Sequence, residues 1–267
     1  MNTFGFIGTG NMGGALARAV AKSVAPENMY LSDAFPEKAA ALANELGCKS
    51  VSAEAVAKNC DFIFLGVKPQ VMSSMLQSIA PTLNSRTENF VLVSMAAGVE
   101  IFSLQRMIDC ECPIIRIMPN IPASVGEGVI LFDATENVSQ EALAAFRTAM
   151  AGAGLVSPLP EKLIDAGSAL SGCGPAFVSL FIEALADGAV ACGLPRQQAM
   201  EYACQTLIGT AKMLQSTGMH PGALKDAVCS PGGSTIAGVN ALEQNGFRGA
   251  VAEAVISAYE RTCELGK

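Results

Sequence analysis

Histidine occurs once in this sequence, at His220, and charged residues make up only 15% of its 267 residues. A protein zinc site needs a compact set of cysteine and histidine ligands. The nine cysteines are scattered, none forms a C-x-x-C pair, and the nearest approach is Cys110-Glu111-Cys112. No metal site is expected, and the cysteines read as reduced core residues of a cytosolic protein. Basic residues are outnumbered, 17 against 24 acidic ones, which gives a net charge of −7. That leaves no broad positive field for nucleic acid. No basic segment precedes an apolar stretch at the start, so no signal peptide is expected. Apolar runs such as residues 62–67 are too short for a bilayer, and no membrane partner is expected. Hydrophobic residues are plentiful, at 51%. With so little charge the chain is a folded protein of one large or two modest domains.

The opening stretch "TFGFIGTGNMGGALARAVAKS" carries a short apolar run over residues 4–7. Gly8-Thr9-Gly10-Asn11-Met12-Gly13 follows, and then a helical pattern with Leu16, Val20 and Val24. This is G-x-G-x-x-G with a strand before it and a helix after it. The first glycine permits the tight turn, the second admits a pyrophosphate, and the third lets helix and strand pack closely. The free N–H groups at the helix start favour phosphate. A second strand, residues 29–32, ends at Asp33, twenty residues past Gly13. A carboxylate there accepts hydrogen bonds from ribose hydroxyls. The alternative is that it merely caps the helix that begins at Pro36. Further apolar strands are expected at 61–67, 90–95 and 113–118, with a helix opening at Lys68-Pro69. Continuous apolar strands separated by helices predict a parallel sheet covered on both faces. Ligands in such sheets bind beyond the strands' carboxyl ends, here "GVKP", "SMAAG" and "MPN".

Past residue 160 the strands stop. Residues 152–154 and 157–158 read as turns, with the domain boundary just beyond them. "GCGPAFVSLFIEALADGAVACGLP" predicts a long helix whose only charges are Glu183 and Asp187. A helix apolar nearly all round is buried on nearly all sides. Further helices are expected at 195–215, 221–228, 235–244 and 247–265. This much apolar helical surface predicts a subunit interface in an intertwined homodimer. Within it, "SPGGST" at 230–235 stands at a helix start. Its glycines and the helix dipole make an anion site without basic side chains. Ser234 or Thr235 serving as an ordinary N-cap is the alternative. His220, followed directly by a proline, reads as another helix start.

The motifs together resemble those of pyrroline-5-carboxylate reductase. "PGALKDAVCSPGGSTIAGVNALEQ" is the most specific, and "FIGTGNMGGALA", "FLGVKPQ", "SMAAGV", "MPNIP" and "SGCGPAFVSLFIEALADGAV" follow the family order along essentially the whole chain. The resemblance implies an α/β fold: a Rossmann-like doubly wound sheet over residues 1–160, then an all-α dimerisation and substrate-binding domain over 161–267. It implies NAD(P)H-dependent reduction of 1-pyrroline-5-carboxylate to L-proline, the last step of proline biosynthesis, by a cytoplasmic homodimer that can assemble into rings. In the family pattern Gly8, Gly10, Asn11 and Met12 lie under the pyrophosphate. Lys68 and Pro69 flank the adenosine. Met95, Ala96, Ala97, Asn120 and Glu161 lie toward the nicotinamide. Ser230, Gly232, Gly233, Ser234 and Thr235 bind the substrate carboxylate, with Thr235 also reaching the ring nitrogen as the catalytic residue. That turn comes from the neighbouring subunit. Many members prefer NADPH, but Asp33 stands where a 2′-phosphate would be repelled, so NADH is expected to serve at least as well. The rival readings are a β-hydroxyacid-dehydrogenase-like or other imine reductase, and a non-catalytic dinucleotide-binding protein.

Overall fold

The computed structural model describes residues 2–265. The chain divides into two compact units, one running to Gly172 and including the stretch from Tyr259 onward, the other spanning Cys173–Ala258.

The first unit alternates strand and helix: β1 (Phe4–Ile7), α1 (Asn11–Val20), β2 (Met29–Ser32), α2 (Pro36–Leu46), β3 (Lys49–Ser50), α3 (Ala53–Asn59), β4 (Phe62–Leu65), α4 (Pro69–Asn84), β5 (Val91–Ser94), α5 (Ile101–Ile108), β6 (Ile114–Met118), β7 (Gly128–Ala134), α6 (Gln140–Met150), β8 (Gly154–Pro158) and α7 (Glu161–Ser171). The strands form one sheet in the order β3-β2-β1-β4-β5-β6-β7-β8. The order reverses direction beside β1, so loops leave the carboxyl ends of β1 and β4 on opposite sides and open a crevice there.

Because successive strand residues face opposite ways, the sheet carries two cores. Phe4 and Phe6 stack on Phe62 and Phe64, at ring separations of 5.0 and 4.5 Å, over Leu16 and Val20 of α1. On the other face Ile7, Ile63 and Leu65 meet Val56, Leu76 and Leu104 from α3, α4 and α5. Both layers are buried, which is why these strands read as unbroken apolar runs.

Two expectations need correction. The sheet is not wholly parallel, because β6 and β7 pair antiparallel. The turns expected at 152–154 and 157–158 give way, from Gly154 to Pro158, to a strand that pairs parallel with β7. Gly154 has φ 128°, and a Cβ there would strike the Gly128 backbone. The glycine that looks like turn chemistry is a close strand-to-strand approach instead.

The second unit contains α8 (Gly174–Ala191), α9 (Arg196–Thr217), α10 (Pro221–Val228) and α11 (Ser234–Gln244), and the chain ends in α12 (Phe247–Leu265). Gly193 (φ 95°) and Gly218 (φ 64°) terminate α8 and α9 in the left-handed conformation. Among the described residues of this unit the buried hydrophobics are Ala186, Ala199 and Ala203, all small. Leu180 is 66% exposed and Ile208, Val251 and Ile256 are exposed as well. The expected all-round burial of α8 is therefore absent within the single chain. Alanines bury too little apolar area to hold a helical domain together. By length and composition alone, Glu161–Ala191 is also apolar enough to cross a membrane, which the expectation framed on short runs passed over.

Candidate active site

The β1–α1 turn is shaped by its glycines. Gly8 adopts φ 98°, and a Cβ there would lie 2.6 Å from the Gly66 carbonyl carbon, so β1 and β4 end in direct backbone contact. A Cβ on Gly13 would strike the Gly8 carbonyl oxygen, which brings α1 hard against the turn. Gly10 is different: nothing lies within 4 Å of its missing Cβ. Neither packing nor backbone conformation demands glycine there, and the space above it is open to a ligand. Gly10 caps α1 with no side-chain hydrogen bond, and no acidic residue stands in the first turn. The uncapped N–H groups of this helix start, with Asn11 exposed and Met12 half-buried, make a site for a diphosphate. The residues fit a dinucleotide.

Asp33 stands at the end of β2 and is fastened to that turn. Its Oδ2 accepts the Thr9 backbone N–H at 2.7 Å and the Thr9 hydroxyl at 3.1 Å, and its Oδ1 accepts the Phe35 N–H at 3.0 Å. Partial burial would raise its pKa. The donors on Phe35 and Thr9, with Lys38 nearby, outweigh that and hold it below the ordinary aspartate range. Two clefts flank the loop. One of about 810 Å³ is lined by Gly8, Asp33, Ser52, Val67 and Val71, and one of about 720 Å³ by Gly10, Met12, Arg18, Lys38 and Glu45.

The remaining strand ends lie along the same edge. Lys68 and Pro69 are exposed, with Pro69 opening α4. Beyond β5, Met95 is half-buried, Ala96 buried and Ala97 exposed. Asn120, beyond β6, is 7% exposed. Its amide donates to the Ser171 carbonyl at 2.8 Å and accepts the Val129 N–H at 2.9 Å. It fastens α7 and β7 to the end of β6, so its side chain is committed within the fold.

Glu161 is held too. Its Oε1 accepts the Ile101 N–H at the start of α5 (2.8 Å) and Arg116 Nη1 (3.0 Å), while its own N–H donates to Asp133 Oδ2 (2.6 Å). Arg116 lies at 2% exposure in the middle of β6, and Nη2 reaches Asp165 at 3.4 Å. The sequence reading missed it. The signal was present: one cation inside the otherwise apolar run "IIRIM". A buried guanidinium persists only with partners, and here they are Glu161 and Asp165, four residues apart on one face of α7.

In the second unit, Gly232 (φ 67°) turns the chain between α10 and α11, and the Gly233 N–H donates to the Ser230 carbonyl at 3.0 Å. The N-cap of α11 is Gly233, and no side chain caps the helix. Ser234 and Thr235 therefore lie inside its first turn, not at the cap, and Ser230, Ser234 and Thr235 are all exposed. The N-cap alternative fails on this geometry. A helix start with free N–H groups and three accessible hydroxyls is what an anion requires. By contrast α10 is capped, since His220 Nδ1 accepts the Gly222 N–H at 3.1 Å. Among the described residues no group of His, Cys, Asp and Glu is arranged to hold a metal. Burial pushes the Cys60 and Cys112 thiols up to about 12, so neither is a nucleophile at neutral pH.

The pyrroline-5-carboxylate reductase of Methanosarcina acetivorans is 41% identical over 98% of this chain and 97% of its own length. The chain belongs to the pyrroline-5-carboxylate reductase family. The enzyme of that name from Escherichia coli is 42% identical over 98% of both chains. Residues 161–265 match the family described as pyrroline-5-carboxylate reductase dimerisation, and residues 3–98 the family described as NADP oxidoreductase, coenzyme F420-dependent. The crystal structure of Plasmodium falciparum pyrroline carboxylate reductase with NADP bound superposes with a TM-score of 0.87 at 34% identity, covering 100% of this chain and 98% of that one. The chain is thus a reductase of the NAD(P)H-dependent, C=N-reducing kind, built from a Rossmann-like sheet and a helical dimerisation region.

Proposed function

We propose that this protein reduces 1-pyrroline-5-carboxylate to L-proline, with the open first turn holding the dinucleotide and the uncapped start of α11 holding the substrate carboxylate. The observation that carries the reading is the second anion site, a glycine turn whose helix has no side-chain cap. A bare dinucleotide-binding protein has no use for it.

A bound reduced nicotinamide supplies hydride to the imine carbon. The chain's own residues orient and polarise. Gly10, Asn11 and Met12 seat the pyrophosphate, Lys68 and Pro69 border the adenosine, and Met95, Ala96 and Ala97 line the nicotinamide side. Asn120 and Glu161 act one layer below, by fixing the strand ends that carry those residues. Backbone N–H groups over 230–235 hold the carboxylate, and the Thr235 hydroxyl faces the ring nitrogen. A cyclic imine carries its proton in from water, so orientation and electrostatics suffice without a strong acid or base. A β-hydroxyacid dehydrogenase relies on a helix lysine, and α8 contains none.

The working assembly is a homodimer, extendable to a ring, in which the exposed apolar faces of α8, α9 and α12 meet their copies and the turn at 230–235 serves the partner. The functional division falls at 160/161. Compactness instead groups α7 with the first unit, through the contacts of Arg116. With a partner to cover it, the apolar stretch at 161–191 needs no membrane, which supports a cytoplasmic location.

The test is turnover of 1-pyrroline-5-carboxylate, followed by loss of reduced-nicotinamide absorbance, with Thr235→Ala beside the wild type. A lost hydrogen bond to a charged substrate group predicts a fall of about 10- to 100-fold in kcat/KM. No turnover by folded, dimeric protein overturns the substrate assignment.

A further inference from the structure

Resting on the dinucleotide reading above, we infer that Asp33 is the residue that sets cofactor specificity, a fixed carboxylate that admits a free ribose 2′-hydroxyl and rejects a 2′-phosphate. An acidic side chain at a strand end can swing aside when a phosphate arrives. This one cannot do so cheaply. Both oxygens are engaged, Oδ2 by two donors of Thr9 and Oδ1 by the Phe35 N–H. Rotating it away breaks all three of these hydrogen bonds, two of them to the glycine turn.

A carboxylate accepts about four hydrogen bonds. The three internal donors leave one acceptor position, on Oδ1. That matches one sugar hydroxyl, a donor, and offers nothing to a phosphate, which brings acceptors and about −1.5 to −2 charges. The same donors keep Asp33 ionised.

The nearby cations do not reverse the sign. Arg18 is spent on Glu45 in a two-pronged pair, with both contacts at 2.7 Å. The Lys38 ammonium sits over the Phe35 ring at 4.7 Å and already faces Asp33. Arg18 and Glu45 neutralise each other in the cleft beside Gly10, whereas Asp33 lines the other cleft, with Lys38 as the cation that acts on it. A 2′-phosphate at Asp33 adds negative charge that this one pairing does not neutralise.

The test measures binding apart from turnover. Affinities for NADH and NADPH, and for the fragments AMP and adenosine 2′,5′-bisphosphate, are taken by calorimetry on the wild type, Asp33→Asn and Asp33→Ser. The wild type is expected to bind the forms lacking the 2′-phosphate at least as tightly. Asp33→Asn keeps an acceptor for Thr9 but removes the charge, and the ratio is expected to move toward the 2′-phosphate by about tenfold or more. Asp33→Ser gives the same direction if the asparagine variant does not fold. A wild type that prefers NADPH by tenfold overturns the inference, and so does an unchanged ratio in a folded variant. So does an absence of binding by any of the nucleotides. Turnover is scored separately: nucleotide binding without reduction of 1-pyrroline-5-carboxylate removes the proposed substrate while the affinity ratios still decide the role of Asp33.

Discussion

Arg116 carries the largest single stake among the side chains. It is 2% exposed, it holds Glu161 and Asp165, and its Nε is buried without a partner. Removing one member of a buried ionic group strands the others. Arg116→Met is therefore expected to lower unfolding stability by about 2–4 kcal/mol, discounted for the half-buried carboxylates, as read by urea titration. Asp33 contributes through acid behaviour. Its folded pKa lies below the ordinary value. The stability it adds is thus present above the unfolded aspartate pKa and is lost as pH falls through the lowered folded one. In Asp33→Asn that acid-side loss should diminish in a pH series of unfolding midpoints. The chemistry of Asp33 was half legible in the sequence. Its spacing from the glycines gave the strand end, but Thr9 sits in the motif as a variable position, and nothing in a linear pattern says that its hydroxyl and N–H point at a residue twenty-four positions away.

At the scale of elements, the glycines of the first turn separate into two kinds. Gly8 is demanded by its φ of 98° and by the Gly66 backbone. Gly8→Ala is expected to cost about 1–3 kcal/mol or more in stability. Gly10 has open space around it, so Gly10→Val should melt close to the wild-type temperature yet lose dinucleotide affinity, which paired melting and calorimetry will distinguish. Strands β1, β2, β4, β5 and β6 were legible because both faces are covered and the apolar runs are continuous. β7 and β8 were not. β7 runs antiparallel through "GVILFDA", where Val129 and the last residues are only half-buried, and β8 is a half-exposed edge strand that begins on a glycine. As an edge strand β8 lacks the apolar continuity on which the reading depended, while β7 lies inside the sheet and is interrupted by its half-buried positions. The α10–α11 turn was legible as a glycine motif but not as a choice between cap and anion site. The cap alternative turned on one residue of register, because the cap is Gly233 and not Ser234.

For the whole molecule, the helical half supplies the clearest expectations. Leu180 is 66% exposed on α8. Leu180→Glu is expected to shift the sedimenting species from dimer toward monomer and to reduce helix content by circular dichroism. The proposal that one protomer's turn serves its partner gives a stricter test. Co-expressed Thr235→Ala and Gly10→Val chains are each impaired in one half of the proposed site, the substrate turn in the first and the dinucleotide turn in the second. Their mixed dimer regains one complete site if the turn acts across the interface, which restores about a quarter of wild-type activity for random pairing. It regains none if each chain acts alone. Dimerisation was readable from the near absence of charge on the long helix. Which faces meet was not, since α8 is apolar nearly all round and carries no stripe to mark one side.

The helical region whose buried hydrophobics are three alanines has a consequence beyond its architecture. Finishing the fold is a second-order event. On the homodimer proposed above, a newly made chain completes its sheet by itself, and residues 173–258 are expected to reach their native state only on collision with another copy. Melting temperature should rise with protein concentration, as it does wherever association and folding are one step. A lone chain, made in excess or diluted below its dissociation constant, presents loosened helices to any protease nearby. The supply of active enzyme then scales more steeply than the supply of chains.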